Sequence, residues 1–266
     1  MKVQILAMTL VIFLISCKSK DDQTRQTTQQ EVQMEEPTQK YKLTPMDNSP
    51  SYPDAELASF TYKNNTFDFN IKGDSYKLGV QTSDAPEKRC ANSAKGQHIH
   101  VILNNEPYLA EYENKFEHPL ENGNYYMVSF LSRSYHESIK SPKASIGEFF
   151  TVDNGNLTSE KPIDKPMVIY SRPKGLYVGK AETERVMLDF YLVNTEISPS
   201  GNKILANING ETHFITEWQP YIIEGLPMGE NTITLTLINE KGLKMETPYN
   251  PVSRTFTLKE DISDEK

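Results

Sequence analysis

The sequence predicts an all-β protein: two tandem β-sandwich domains behind a secretory signal and a polar spacer. Three observations carry this. One pattern is written twice, because Gly96-Gln97-His98-Ile99-His100-Val101-Ile102-Leu103-Asn104-Asn105-Glu106 lines up without a gap on Gly201-Asn202-Lys203-Ile204-Leu205-Ala206-Asn207-Ile208-Asn209-Gly210-Glu211. Short runs alternate apolar and polar, as in Phe67-Asp68-Phe69-Asn70-Ile71, Tyr76-Lys77-Leu78-Gly79-Val80 and Thr232-Ile233-Thr234-Leu235-Thr236-Leu237, the pattern of strands with one face buried. Turn signals such as Asn122-Gly123, Asn209-Gly210 and Lys241-Gly242 separate the runs.

The repeat continues beyond the first block. Tyr112, Phe116, Leu120 and Gly123 match Trp218, Ile222, Leu226 and Gly229, and Phe150-Thr151-Val152 matches Phe256-Thr257-Leu258, all with one extra residue of offset. Two domains of about 100 residues follow, 55–155 and 160–260, each near the size of an immunoglobulin-like sandwich. The Leu-x-x-Gly pattern before an alternating strand resembles the penultimate strand of such domains. Asp153 to Pro162 reads as the linker.

Before the first domain the chain has a different character. Met1-Lys2 is a short basic start, and Val3 to Ser16 is almost uniformly apolar. This run is shorter than the roughly 20 residues of a membrane-spanning helix and fits a secretory signal over residues 1–16. Leu14-Ile15-Ser16-Cys17 resembles the lipobox of bacterial lipoproteins, which implies cleavage before Cys17 and lipidation of that residue. Lys18 after the cysteine favours, by the same resemblance, the outer membrane, and Lys18-Ser19-Lys20-Asp21-Asp22 is similar to export tags of surface lipoproteins in Bacteroidetes. Residues 17–54 then read as a flexible tether, since Asp21 to Gln30 contains no apolar residue and such a segment cannot offset the entropy of ordering.

Composition narrows the function classes. The formal charge is −8 and becomes about −9 once Lys2 leaves with the signal; with no run of Lys and Arg, nucleic-acid binding is excluded. Lipidation of Cys17 leaves Cys90 alone, so no intramolecular disulfide supports the fold.

What differs between the two copies is where function is expected. Ile99, Val101 and Leu103 match Ile204, Ala206 and Ile208 and face the core, so His98, His100 and Ile102 face the other way. On the later strand, Tyr126, Val128 and Phe130 occupy the positions of Thr232, Thr234 and Thr236. If the two strands are neighbours, these six residues form one patch, either a ligand or partner surface or a face covered by the tether or the second domain. Antiparallel pairing brings the loop before His98 and the loop after Leu131 to one rim. Cys90, His98, His100, His136 and Glu137 are expected to converge there, a donor set suited to copper or zinc. Arg133, with Ser132, Ser134, Tyr135, Lys140 and Lys143 near it, offers a guanidinium fork for a carboxylate or phosphate, and Tyr135 and His136 join the expected partner surface. His118 reads as a loop residue and His213 as an outward strand residue.

The stretch from Gln97-His98-Ile99-His100 through Ser132-Arg133-Ser134-Tyr135-His136-Glu137 resembles a group of two-domain Bacteroidetes lipoproteins, some labelled phosphopeptide-binding. Only Arg133-x-x-His136 approaches the Gly-Arg and Ser-x-x-His motifs of phosphopeptide readers, and that function is not adopted. The chain has no Gly-x-Ser-x-Gly elbow, phosphate loop or His-Glu-x-x-His motif, so an enzyme is not expected. The expected function is a lipid-anchored, non-enzymatic binding or interaction module of the outer membrane, periplasmic or surface-facing, with a protein partner in the envelope. The alternatives are a copper- or zinc-binding lipoprotein and a structural accessory subunit of a surface complex.

Overall fold

The structure is a computed structural model that describes residues 39–261. The expected signal sequence and the expected lipidation site Cys17 lie outside the described residues. The fold is all-β. A first strand, β1 (Lys42–Pro45), precedes two sandwiches. The first sandwich comprises β2 (Glu56–Lys63), β3 (Thr66–Lys72), β4 (His98–Leu103), β5 (Leu109–Glu111), β6 (Lys115–Glu117), β7 (Gly123–Ser132), β8 (Ser145–Asp153) and β9 (Asn156–Pro162). The second comprises β10 (Met167–Arg172), β11 (Gly175–Val178), β12 (Val186–Val193), β13 (Lys203–Ile208), β14 (Glu211–Ile215), β15 (Tyr221–Glu224), β16 (Gly229–Ile238) and β17 (Val252–Lys259).

Strand order follows the repeat. In the first sandwich a sheet β2-β3-β6 faces a sheet β5-β4-β7-β8-β9; in the second a sheet β1-β15-β12-β10 faces a sheet β11-β17-β16-β13-β14. β4 pairs antiparallel with β7 through Ile99↔Leu131, His100↔Phe130 and Ile102↔Val128, and β13 pairs with β16 through Ile204↔Leu237 and Ala206↔Leu235. In each pair one face supplies a sandwich core: Ile99, Val101, Met127 and Leu131 in the first, Ile204, Ala206, Leu235 and Leu237 in the second.

The opposite faces have different fates. On β16 Thr232, Thr234 and Thr236 stay half-buried, and Thr232 and Thr234 hydrogen-bond to Thr255 and Ser253 of β17. On β4 and β7 the corresponding residues are covered by the second sandwich: Ile102, Val128 and Phe130, joined by Tyr108 just before β5, pack with Ile163, Met167, Ile169 and Tyr191. At about 1.5–3 kcal/mol for each large apolar side chain removed from water, this layer is a third core in its own right. It explains why β10 is buried along its whole length and β12 along nearly all of it, each strand lying between its own core and the neighbouring sandwich.

Polar contacts lock the same junction. Asn105, in the left-handed turn after β4, donates from Nδ2 to the Val168 carbonyl (2.8 Å) and accepts from the Tyr170 N–H (2.9 Å), capping the free edge of β10. Asp189 on β12 is fully buried and accepts from the Ser138 N–H and Oγ and from Lys140 Nζ at 2.6 Å.

Two boundaries differ from expectation. The expected tether to residue 54 is ordered structure from Tyr41 onward: β1 pairs with β15, and Lys40 and Tyr41 donate their N–H groups to Glu211. Residues 46–50 lie on the rim of the first sandwich, where Lys88 Nζ donates to the Asp47 and Asn48 carbonyls (both 2.8 Å), Ser49 donates to Glu137, and Arg133 donates to the Pro50 carbonyl. Composition concealed this because most of the anchors are backbone N–H and carbonyl groups. The expected linker Asp153–Pro162 is instead a hairpin: the chain turns at Asn154-Gly155, both at positive φ, and β9 pairs with β8.

A candidate metal centre at the junction of the two sandwiches

His98 and His100 alternate with core residues on β4, so their rings share the face turned to the second sandwich. His136 arrives from the tight loop after β7. There the Arg133 N–H bonds to the Glu137 carbonyl, the His136 N–H bonds to the Arg133 carbonyl, and His136 adopts a φ of 70°. One donor atom from each of the three histidines lies within 4.8 Å of the other two. His98 Nε2 is the common vertex, 2.9 Å from His100 Nε2 and 3.0 Å from His136 Nδ1.

The tautomer of His98 follows from its other nitrogen. Nδ1 lies 2.8 Å from the Gly96 carbonyl; a carbonyl only accepts, so Nδ1 carries the proton and Nε2 of the neutral ring is a bare lone pair. This is how metal-binding histidines are commonly oriented. His100 Nδ1 lies 3.2 Å from Ser171 Oγ on β10, which turns its Nε2 toward His98. Burial lowers the pKa of His98 to about 4 against the opposing effect of the Gly96 carbonyl, with Arg172 and Lys174 lowering it further. Burial also holds His100 and His136 well below the ordinary imidazole range, assisted by Arg172 and Lys174. All three rings are therefore neutral at pH 7, the form that coordinates.

Aromatic groups and cations enclose the cluster. The Tyr108 ring stacks on His100 at 3.6 Å and 10°, and its hydroxyl lies 3.2 Å from His136 Nδ1. Lys174 sits over the other face of Tyr108 at 3.7 Å and donates to the Tyr108 carbonyl (2.6 Å). Arg172 is buried over the Tyr177 ring, and its Nε has no hydrogen-bond partner among the described residues. His98 and His100 are fully buried, whereas His136 is half-buried at the edge of the cluster. A tetrahedral ion with nitrogen bonds of about 2.0–2.1 Å spaces its ligands about 3.3 Å apart, so the two edges at His98 would open by a few tenths of an ångström while the His100–His136 edge, whose ring centroids are 5.8 Å apart, would have to close.

Other expected site residues lie elsewhere. Cys90 is not in the cluster. It packs with Met46, Ala85, Tyr135, Met187 and Ile222, and burial raises its thiol pKa to about 11. The short helix Ala85–Lys88 ends at the left-handed Arg89, the residue that precedes Cys90. Arg133 pairs with Glu137 at 3.1 Å and both are buried, so the fork is already engaged. Tyr135 is buried, with its hydroxyl 3.1 Å from Asp84 Oδ1. Ile102, Val128 and Phe130 are buried in the inter-sandwich layer, and Tyr126 is half-buried against Phe149 and Tyr249. They form contact within the chain and not an open partner surface. His213, expected to point outward, is buried beside Glu211, Nε2 to Oε1 2.8 Å. Sequence reasoning missed Tyr108, Ser171, Arg172 and Lys174, because the register within each copy does not say how the copies face one another.

No family model matches this chain, and no curated protein does. Among solved structures the chain is similar to Clostridium thermocellum CbhA fibronectin(III)-like modules, at 17% identity over 35% of this chain and 98% of that chain, with a TM-score of 0.27. It is similar to the central fibronectin-III array of RIM-binding protein, at 9% identity over 80% of this chain and 72% of that one, with a TM-score of 0.26. A third likeness is to the Bacteroides ovatus mixed-linkage glucan utilization locus SGBP-B in complex with a mixed-linkage heptasaccharide, at 13% identity over 81% of this chain and 47% of that one, with a TM-score of 0.19. Among the described residues no helix is long and apolar enough to cross a membrane.

Proposed function

We propose that this chain is a non-enzymatic metal-binding module of the bacterial envelope, holding one copper or zinc ion on His98, His100 and His136 and anchored to the outer membrane through lipid on Cys17. The observation that supports it most is the convergence of three neutral imidazoles on one point, with His98 Nδ1 committed to the Gly96 carbonyl so that Nε2 faces the other two rings. A core histidine without a ligand role needs one partner for each polar nitrogen; here His100 Nε2 and His136 Nδ1 both lie within 3.0 Å of the one His98 lone pair, and His136 Nδ1 has the Tyr108 hydroxyl at 3.2 Å besides. His100 and Ser171 come from different sandwiches, so a bound ion would strengthen the junction as well as be carried by it. Any protein partner in the envelope would then dock on surface other than the β4–β7 face.

Metal titration of the purified protein tests the reading. One equivalent of copper or zinc should bind, and the His98→Ala/His100→Ala variant should lose that equivalent while keeping its β-sheet circular dichroism. Absence of stoichiometric binding, or binding unchanged in the double variant, overturns it.

A further inference from the structure

We infer that the centre takes monovalent copper in preference to zinc. This rests on the metal reading above and concerns which ion the surroundings admit. The three donors are neutral imidazoles, and the cluster contains no carboxylate or thiolate, so the ligands bring no negative charge to offset that of the ion. Two cations flank them. Lys174, Tyr108 and His100 form one column, with the ammonium 3.7 Å from the Tyr108 ring and that ring 3.6 Å from His100. Arg172 is buried beside the same tyrosine pair, Tyr108 and Tyr177. Neither Arg172 nor Lys174 has a carboxylate within ion-pair distance among the described residues.

A neighbouring cation repels a divalent guest twice as strongly as a monovalent one, and the aromatic and aliphatic walls around His100, including Tyr108 and Phe130, screen poorly. Coordination number points the same way. Three nitrogens complete the shell of a monovalent copper ion, whereas zinc asks for a fourth ligand. The Tyr108 hydroxyl, 3.2 Å from His136 Nδ1, is a neutral phenol buried in the column.

Metal-stripped protein, titrated anaerobically at neutral pH with Cu(I) against bicinchoninate and with Zn(II) against a chromophoric chelator, tests the inference. Cu(I) should bind more tightly than Zn(II) by on the order of tenfold or more, since each cation penalises the divalent ion twice over. Lys174→Met should raise the Cu(I) affinity by about threefold and the Zn(II) affinity by about tenfold, because the repulsion scales with the charge of the guest. Tighter Zn(II) binding in the unaltered protein overturns the inference and leaves the metal reading standing. Equal gains for both ions in Lys174→Met overturn the charge argument and the inference with it. Binding of neither ion overturns the metal reading itself. The comparison in unaltered protein decides the matter even if the variant does not fold.

Discussion

The three buried histidines make the metal-free protein acid-sensitive, and the size of the effect can be worked out. A free imidazole titrates near pH 6.5, whereas in the folded chain His98 is lowered to about 4 and His100 and His136 lie well below 6.5. Above about pH 6.5 the rings are neutral in both folded and unfolded chains and the histidines leave stability unaffected by pH. Below it the unfolded chain takes up protons that the folded chain refuses, so stability falls with falling pH until the folded rings themselves titrate. Each histidine then costs up to about 1.4 kcal/mol per pH unit. Between pH 7.5 and 5.5 the three together remove about 4 kcal/mol, a large part of the 5–15 kcal/mol typical of a folded protein.

Urea unfolding of metal-stripped protein at the two pH values measures this. The single tryptophan, Trp218, stands edge-on to Tyr191 within the inter-sandwich layer and reports on the junction. The midpoint should drop sharply at pH 5.5, and His136→Gln should remove about a third of the drop. Equal stability at the two pH values, or greater stability at pH 5.5, refutes the reasoning, because the folded histidines would then accept protons as readily as free ones.

Three further outcomes follow from the geometry. Asn105→Ala strips partners from the Tyr170 N–H and the Val168 carbonyl and should cost about 2–4 kcal/mol by urea titration; a cost below about 0.5 kcal/mol counts against the edge-capping role. Gly96→Ala places a Cβ 2.6 Å from the Gly79 carbonyl carbon at a φ of +87°, so stability should fall by about 1–3 kcal/mol. Metal affinity should fall with it, since the Gly96 carbonyl orients His98; unchanged affinity would show that this carbonyl does not matter. Cys90, buried with its thiol raised to about 11, should resist iodoacetamide in native protein and react at the rate of a free thiol in urea, and mass spectrometry of the alkylated protein distinguishes the two cases.

The strand framework was legible because each half of the chain carries the same alternation. The β4–β7 register, which turns Ile99 and Val101 inward and His98 and His100 to the other face, needs only a period of two. What covers that other face is a relation between copies, and no periodicity within one copy encodes it. A signal was nevertheless present. Met167-Val168-Ile169-Tyr170 on β10 and Val186-Met187-Leu188 and Phe190-Tyr191-Leu192 on β12 are continuous apolar runs, the mark of strands buried on both faces. Two faces in need of cover on the second sandwich, set beside Val128 and Phe130 where the second copy has threonines, specify one another as partners.

The same complementarity bears on why the histidines lie where they do. His98 and His100 share a face with Ile102, and the residues that meet that face from the other sandwich are apolar along Met167 and Ile169 but polar and cationic at Ser171 and Arg172. The junction is thus dry at its centre and polar at one end, and the histidines stand at the polar end, with His136 at the edge giving access from solvent. Separated sandwiches would leave the three imidazoles exposed, with ordinary basicity and without Ser171 to turn His100. Docking buries them and gives His100 its Ser171 partner, so although all three histidines belong to the first sandwich, the surroundings of the site belong to the tandem arrangement.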